Sequence, residues 1–165
     1  MAAKVPTFKY IAWISLIPHL LFLFLFVYIF QLLEFKDSFV FGAAAYLLLS
    51  YGLRTVISKD HREGINLIKE GKFKEAIACF EKSYHFFSRN SWIDKYRYVT
   101  LFSASKLSYK EMALCNIAFC YSQVNEGLKA IEYYERTLQE FPENGLAKTG
   151  LKMLNSVQQI EKKEE

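Results

Sequence analysis

Proline, glycine and cysteine are all scarce in this chain. Its 165 residues hold three prolines, seven glycines and three cysteines. So little proline and glycine excludes a collagen-like chain and a low-complexity disordered one. The cysteines, Cys79, Cys115 and Cys120, are odd in number and lack CxxC spacing. That excludes a disulfide-dense secreted scaffold and reads as reduced cytoplasmic thiols, mostly buried in helices. His19, His61 and His85 lie far apart without ligand spacing, so no metal site is expected. With no phosphate loop, GxSxG or HExxH in the chain, neither an enzyme nor a cofactor is expected. An excess of one charge is missing too: residues 58–165 carry 17 Lys+Arg against 15 Asp+Glu, interleaved, which leaves no footprint for nucleic acid. Between Tyr10 and Leu53 charge of either sign is confined to Glu34, Lys36 and Asp37.

What fills that uncharged region is hydrocarbon. Tyr10–Leu33 is a 24-residue run without acid, lysine or arginine, and 16 of its residues are Leu, Ile, Phe or Val. A helix over 10–33 would be about 36 Å long, enough to cross ~30 Å of hydrocarbon with some tilt. Its apolar residues favour insertion by about 5–10 kcal/mol, from which Pro18 and His19 subtract without reversing the sign. A buried core helix seldom runs so long without a charge. A secretory leader is the other competitor, with Lys4 and Lys9 before the run and Ala43-Ala44-Ala45 after it, but an h-region of this length is unusual.

Ser38–Ile57 is a second, weaker span, with nine strongly apolar residues and Arg54 near its end, where a long stem snorkels to the interface. Gly42 with Ala45, or Ala43 with Ala44, allows a close helix approach, so this span is expected to insert by packing on the first. The connection Glu34–Asp37 is four residues long and forces an antiparallel hairpin. Lys4 and Lys9 precede the first span and Arg54, Lys59 and Arg62 follow the second, which places both ends in the cytoplasm. His19 falls near the level of Tyr51, Gly52 and Arg54. An ionisable residue at membrane depth is a functional candidate by default, but beside Pro18 a structural bond to a hydroxyl or backbone carbonyl is the stronger reading than a proton relay.

From Ser58 onward the periodicity is helical. Asp60 with Glu63, and Ser108 with Glu111, form capping-box patterns that place helix starts. Gly71 divides apolar-periodic stretches at 61–70 and 74–88, Asn125-Glu126-Gly127 divides 109–124 from 128–140, and Phe141–Gly145 ends the last. A further amphipathic helix follows over 146–160, and 162–165 is a charged tail. Between Arg54 and His61 a continuous helix and a break are both compatible with the residues, and the Asp60 capping box leans toward a break.

Two helix pairs repeat one pattern. Gly64, Leu67, Gly71, Ala76 and Phe80 are matched by Ala118, Tyr121, Asn125, Ala130 and Tyr134, at shared offsets of +3, +7, +12 and +16, and Pro142 closes the second copy. This pattern resembles the tetratricopeptide repeat (TPR) family, over about 57–90 and 111–144. The first copy departs from it, with Ser83 where a small apolar residue is expected and Ser88 where the proline would stand. The copies lie 54 residues apart rather than 34. The 20 extra residues read as an inserted helix at 91–103, with Trp92, Ile93, Tyr96, Val99 and Phe102 at helical spacing. It and the 146–160 helix are the expected covers for the ends of a short array.

With the transmembrane hairpin over 1–57, the resemblance implies an all-α fold in which the hairpin is followed by a right-handed superhelical TPR-like array of helix pairs over 58–161, with one inserted helix and a C-terminal capping helix. It also implies a partner-binding groove lined by the first helix of each pair: His61, Arg62, Ile65, Ile68 and Lys69, then Cys115, Asn116, Phe119, Ser122 and Gln123. Asn116 stands where the family often holds a peptide backbone. The lysines and arginines of a carboxylate clamp are missing, so no C-terminal carboxylate is expected. Ile65, Ile68 and Phe119 fit a core role equally well. Tyr84, Phe86, Phe87, Trp92, Tyr96, Tyr98 and Phe102 are too many rings for two repeats to bury. The remainder would face a partner protein, a second copy or the membrane interface.

The expected protein is thus an integral inner-membrane protein of a bacterium, its hairpin in the lipid bilayer, whose module recruits a protein or peptide partner at the cytoplasmic face. The second reading makes the hairpin the working part, as a small subunit of a membrane complex or a helical-bundle homo-oligomer.

Overall fold

A computed structural model describes the backbone of residues 11–164 and the side chains of residues 11–156. Among the described residues all regular structure is helical: α1 (Leu16–Leu32), α2 (Ser38–Ile57), α3 (Lys59–Lys69), α4 (Phe73–Arg89), α5 (Ser91–Lys95), α6 (Arg97–Thr100), α7 (Tyr109–Gln123), α8 (Gly127–Glu140) and α9 (Gly145–Glu164). The chain divides into two compact units. One holds Asp60–Arg89 together with the chain from Tyr109 onward, and the other holds residues 11–59 together with Asn90–Ser108. The helical module expected over 58–161 is therefore interrupted, and its inserted segment belongs with the apolar helices.

In the apolar unit the first helix is shorter than the uncharged run. Tyr10 lies outside the described residues. Ile11 pairs with Ser105 in a single antiparallel bridge, Trp13–Ser15 is a 3-10 turn, and α1 starts at Leu16. Pro18 accounts for the late start. It lacks an N–H and clashes with the preceding turn, so it is accommodated within the first turn of a helix and not in its interior. Glu34, at φ 57, closes α1, with Phe35 N–H bonded to the Phe30 carbonyl. At Gly42 any Cβ would lie 2.6 Å from the Val27 Cα, so α2 packs directly on the backbone of α1. Trp13–Leu32 and Ser38–Ile57 are both long and apolar enough to cross a membrane, and almost none of either is buried.

The insertion is two short helices, not one over 91–103. The chain breaks at Tyr96 (φ −99, ψ 26) and turns out of helix at Phe102, which adopts φ 47. Between α2 and α3 only Ser58 is non-helical, its hydroxyl bonded to the Arg54 carbonyl at 2.5 Å. Because α3 starts at Lys59, Asp60 lies inside the first turn, where it faces the helix dipole instead of capping the end.

The five-helix unit is organised around α7. Its buried residues, Tyr109, Ala113, Leu114, Cys115, Ile117, Ala118 and Cys120, lie on more than one side of the helix, so it is covered from more than one direction. Ala113, Ile117 and Cys120 join Ile68 of α3 and Ala76, Ile77 and Phe80 of α4 in one cluster. Cys115 and Ala118 join Tyr134 of α8 and Ala147 of α9 in a second. The Phe80 ring lies where a Cβ on Gly64 would stand, 2.7 Å away, and the Tyr134 ring stands in the same relation to Gly150, at 2.5 Å. Gly71 (φ 77) and Asn125 (φ 60) end α3 and α7 alike, each followed by an N–H bonded five residues back, Lys72 to Leu67 and Glu126 to Tyr121. Asn144 starts α9: its Oδ1 accepts from Ala147 N–H at 2.7 Å, and its Nδ2 donates to Glu111 Oε1 at 2.8 Å.

Candidate functional site

The ten residues expected to line a groove fall into three groups. His61, Ile68 and Cys115 are buried and line nothing a partner can reach. The reason is local. Ile68 faces Phe80 across the α3–α4 pair, Cys115 belongs to the α8–α9 side of α7, and His61 is closed in by aromatic rings. Ile65 and Phe119 are half-buried against the α3–α4–α7 cluster, with Phe119 6.1 Å from the Phe73 ring. Arg62, Lys69 and Gln123 are exposed, and Asn116 and Ser122 are half-buried. Ser122 bonds back to the Phe119 carbonyl at 2.7 Å.

His61 is flanked by Phe80 and Tyr109, each with its centroid 5.3 Å away, and Tyr109 stacks on Phe87 at 4.7 Å. The buried Ser83 hydroxyl is 3.4 Å from His61 Nδ1, which explains a serine at a position where the repeat pattern favours a small apolar residue. Burial among these rings lowers the His61 pKa to about 4, so the imidazole is neutral. Burial raises the Cys115 and Cys120 thiols to about 12, which removes them as nucleophiles at neutral pH.

A polar network joins α4, α7 and α8. Glu140 accepts from Tyr84 Oη at 2.7 Å and pairs with Lys110 at 2.6 Å and Arg136 at 3.5 Å. The Arg136 guanidinium lies 4.6 Å from the Tyr84 ring centroid and Lys110 Nζ 5.3 Å from it. Tyr133 Oη reaches Glu81 at 3.4 Å and its ring stacks on Tyr121 at 5.4 Å.

Sequence reasoning missed a polar cluster in the apolar unit. The Phe102 carbonyl accepts from His19 Nε2 at 3.1 Å and from Arg54 Nη2. Because a carbonyl only accepts, Nε2 carries the proton, and His19 has the structural backbone bond expected of it. The Phe102 ring is buried among Phe22 (5.1 Å), Tyr46 (5.5 Å) and His19 (5.9 Å). Arg97 holds the rest of the loop. Its guanidinium donates to the carbonyls of Asp94 (3.1 Å), Ser105 (3.0 Å) and Lys106 (2.5 Å). Ala12 N–H completes the closure on the Ala104 carbonyl at 2.9 Å. The signal available in the sequence was Ser103-Ala104-Ser105, a run of small residues with no helical periodicity.

No group of three or more His, Cys, Asp or Glu gathers for a metal among the described residues. No family model, curated protein or solved structure matches the chain.

Proposed function

We propose that the chain is a membrane-anchored scaffold. In this reading α1 and α2 cross the bilayer as an antiparallel hairpin with both chain ends in the cytoplasm. The five-helix unit is a short TPR-like array that holds a protein or peptide partner there. The exposure of α1 and α2 carries the reading. Leu48 is 72% and Val56 71% exposed, and such surface along 20-residue helices suits lipid and not water. Support for the hairpin comes from the short Glu34–Asp37 connection and from Gly42 closed against Val27. Orientation rests on the lysines and arginines that flank the outer ends of the spans. The TPR-like reading is supported by the matched left-handed residues Gly71 and Asn125 and by the ring of Phe80 seated on Gly64.

The surface left for a partner is Arg62, Lys69, Asn116, Ser122 and Gln123, with the open flanks of Ile65 and Phe119. Confining the partner to the membrane raises its effective concentration there, which is work an adaptor does without chemistry of its own. The reading of the hairpin as an oligomer-forming bundle loses its best feature, because Gly42 is already occupied within the chain.

Photo-crosslinking from position 116 of the full-length protein in its membrane tests the proposal, with position 153, exposed on α9, as the reference. A discrete protein adduct from 116 and none from 153 is expected. Adducts only to lipid or to the chain itself would overturn the adaptor role.

A further inference from the structure

Trp92 in α5, Tyr96 at the break and Val99 in α6 stay 60%, 55% and 43% exposed. The segment that carries them is not loose. Asp94, between them, is buried, and Arg97 fixes three backbone carbonyls of the same segment. Large rings held outward on a fixed backbone mark a contact surface.

Continuity within the apolar unit identifies what covers it. The loop that follows α6 bonds at once to Ala12, next to the start of α1, and to Arg54, in the last turn of α2. The insertion therefore lies against the half of the hairpin that holds the start of α1 and the end of α2, its Phe102 ring reaching as far as Phe22 and Tyr46, and at that end Trp13 is also 77% exposed. Lys95 is exposed as well, with Nζ 5.6 Å from the Tyr96 ring centroid. Tryptophan and tyrosine gather at the boundary between hydrocarbon and headgroups, and lysine stems extend from there to the phosphates.

We propose that residues 91–99 are an interfacial membrane element. Trp92, Tyr96 and Val99 enter the headgroup boundary of the leaflet reached by the start of α1 and the end of α2, and Lys95 meets lipid phosphate. The inference rests on reading α1 and α2 as membrane spans. A bilayer surface is the occupant, because the patch continues the apolar surface of those helices.

The chain has two tryptophans, so Trp13→Phe leaves Trp92 as the sole emitter and Trp92→Phe leaves Trp13. Both variants, full-length, are reconstituted in phosphatidylcholine–phosphatidylglycerol vesicles whose lipids are brominated either near the headgroup or near the chain end. The expected result is Trp92 emission that is blue-shifted, protected from aqueous iodide, and quenched more by the shallow bromines than by the deep ones. Trp92 quenched by iodide and indifferent to bromine, with Trp13 quenched by bromine, would overturn the inference and leave the spans standing. Trp92 shielded from both quenchers would mean that a second copy covers the patch, which also overturns it. Should bromine quench neither tryptophan, the membrane reading itself fails.

Discussion

His61 and His19 stand at comparable places in their units, each beside a buried phenylalanine, Phe80 and Phe102. Their surroundings differ in kind. Around His61 the imidazole meets rings and one serine hydroxyl. Around His19 a stretch of irregular backbone has been brought onto apolar helices. Its carbonyls need donors. His19 of α1 and Arg54 of α2 supply them. Polar side chains on two apolar helices therefore serve here to seat a distant loop. In the five-helix unit the same task, fixing one segment on another, is done by a ring set against glycine.

The sharpest way to break this comparison is Phe102→Ala. Phe102 holds φ 47, a left-handed conformation that costs an L-residue about 1–2 kcal/mol, and it is retained because the ring is enclosed. Removing such a ring costs about 3–5 kcal/mol in soluble cores. The amides of residues 97–106 should then exchange hydrogen far faster in the full-length protein in nanodiscs. Phe102→Gly should be the milder change by about 1 kcal/mol, because it relieves the backbone while losing the same ring. Unchanged exchange in either variant would show that Arg97 and Arg54 hold the loop without the ring.

The His61 prediction is next in size and belongs to the other side of the comparison. Its pKa falls from 6.5 to about 4 on folding, so the unfolded chain binds the extra proton. Its neutral burial is fully compatible with folding above pH 6.5, and stability is lost as pH falls through that window to about 4. The full loss is on the order of 3 kcal/mol. Urea unfolding of the full-length protein in detergent, followed across that range, should slope accordingly, and the slope should flatten in His61→Gln. An equal slope in the variant would assign the proton uptake elsewhere.

The five-helix unit was legible because its signals are local. The spacing of Gly64, Gly71, Ala76 and Phe80, and of Ala118, Asn125, Ala130 and Tyr134, marks close approaches and left-handed ends that the backbone adopts at Gly71 and Asn125. The same logic did not foresee the burial of His61 and Cys115, and for Ile68 it left core and groove open where the structure has core. Their sequence spacing puts them on a helix, but burial depends on α4 and α8, which meet them only after folding. The extent of the second apolar helix was legible as well, while the start of the first was displaced by Pro18 and by the bridge to Ser105. The seating of Phe102 between His19 and Arg54 was not legible. A pairing across 83 residues leaves no periodic trace, and Phe102 reads by spacing as one more ring on a helix.

The smallest expected effect lies at Glu140, where charge and not packing joins the helices. Burial alone would raise this carboxyl. The hydrogen bonds from Lys110 and Tyr84, with the charges of Lys110 and Arg136, outweigh burial and hold it below the ordinary carboxylate range. The sign is the same as for His61 and only the window is lower: the contribution is present above the unfolded carboxylate value of about 4.5 and is lost as pH falls below it. Because the carboxylate is partly exposed, Glu140→Gln should cost only about 0.5–1 kcal/mol at neutral pH. Most of that should vanish in about 1 M salt, where screening acts within ~3 Å. Paired urea titrations of the two chains at low and high salt measure it. A cost near 3 kcal/mol that ignores salt would mean that Tyr84, Lys110 and Arg136 are held by packing through Glu140, and the five-helix unit would then depend on a polar contact as the apolar unit does at Phe102.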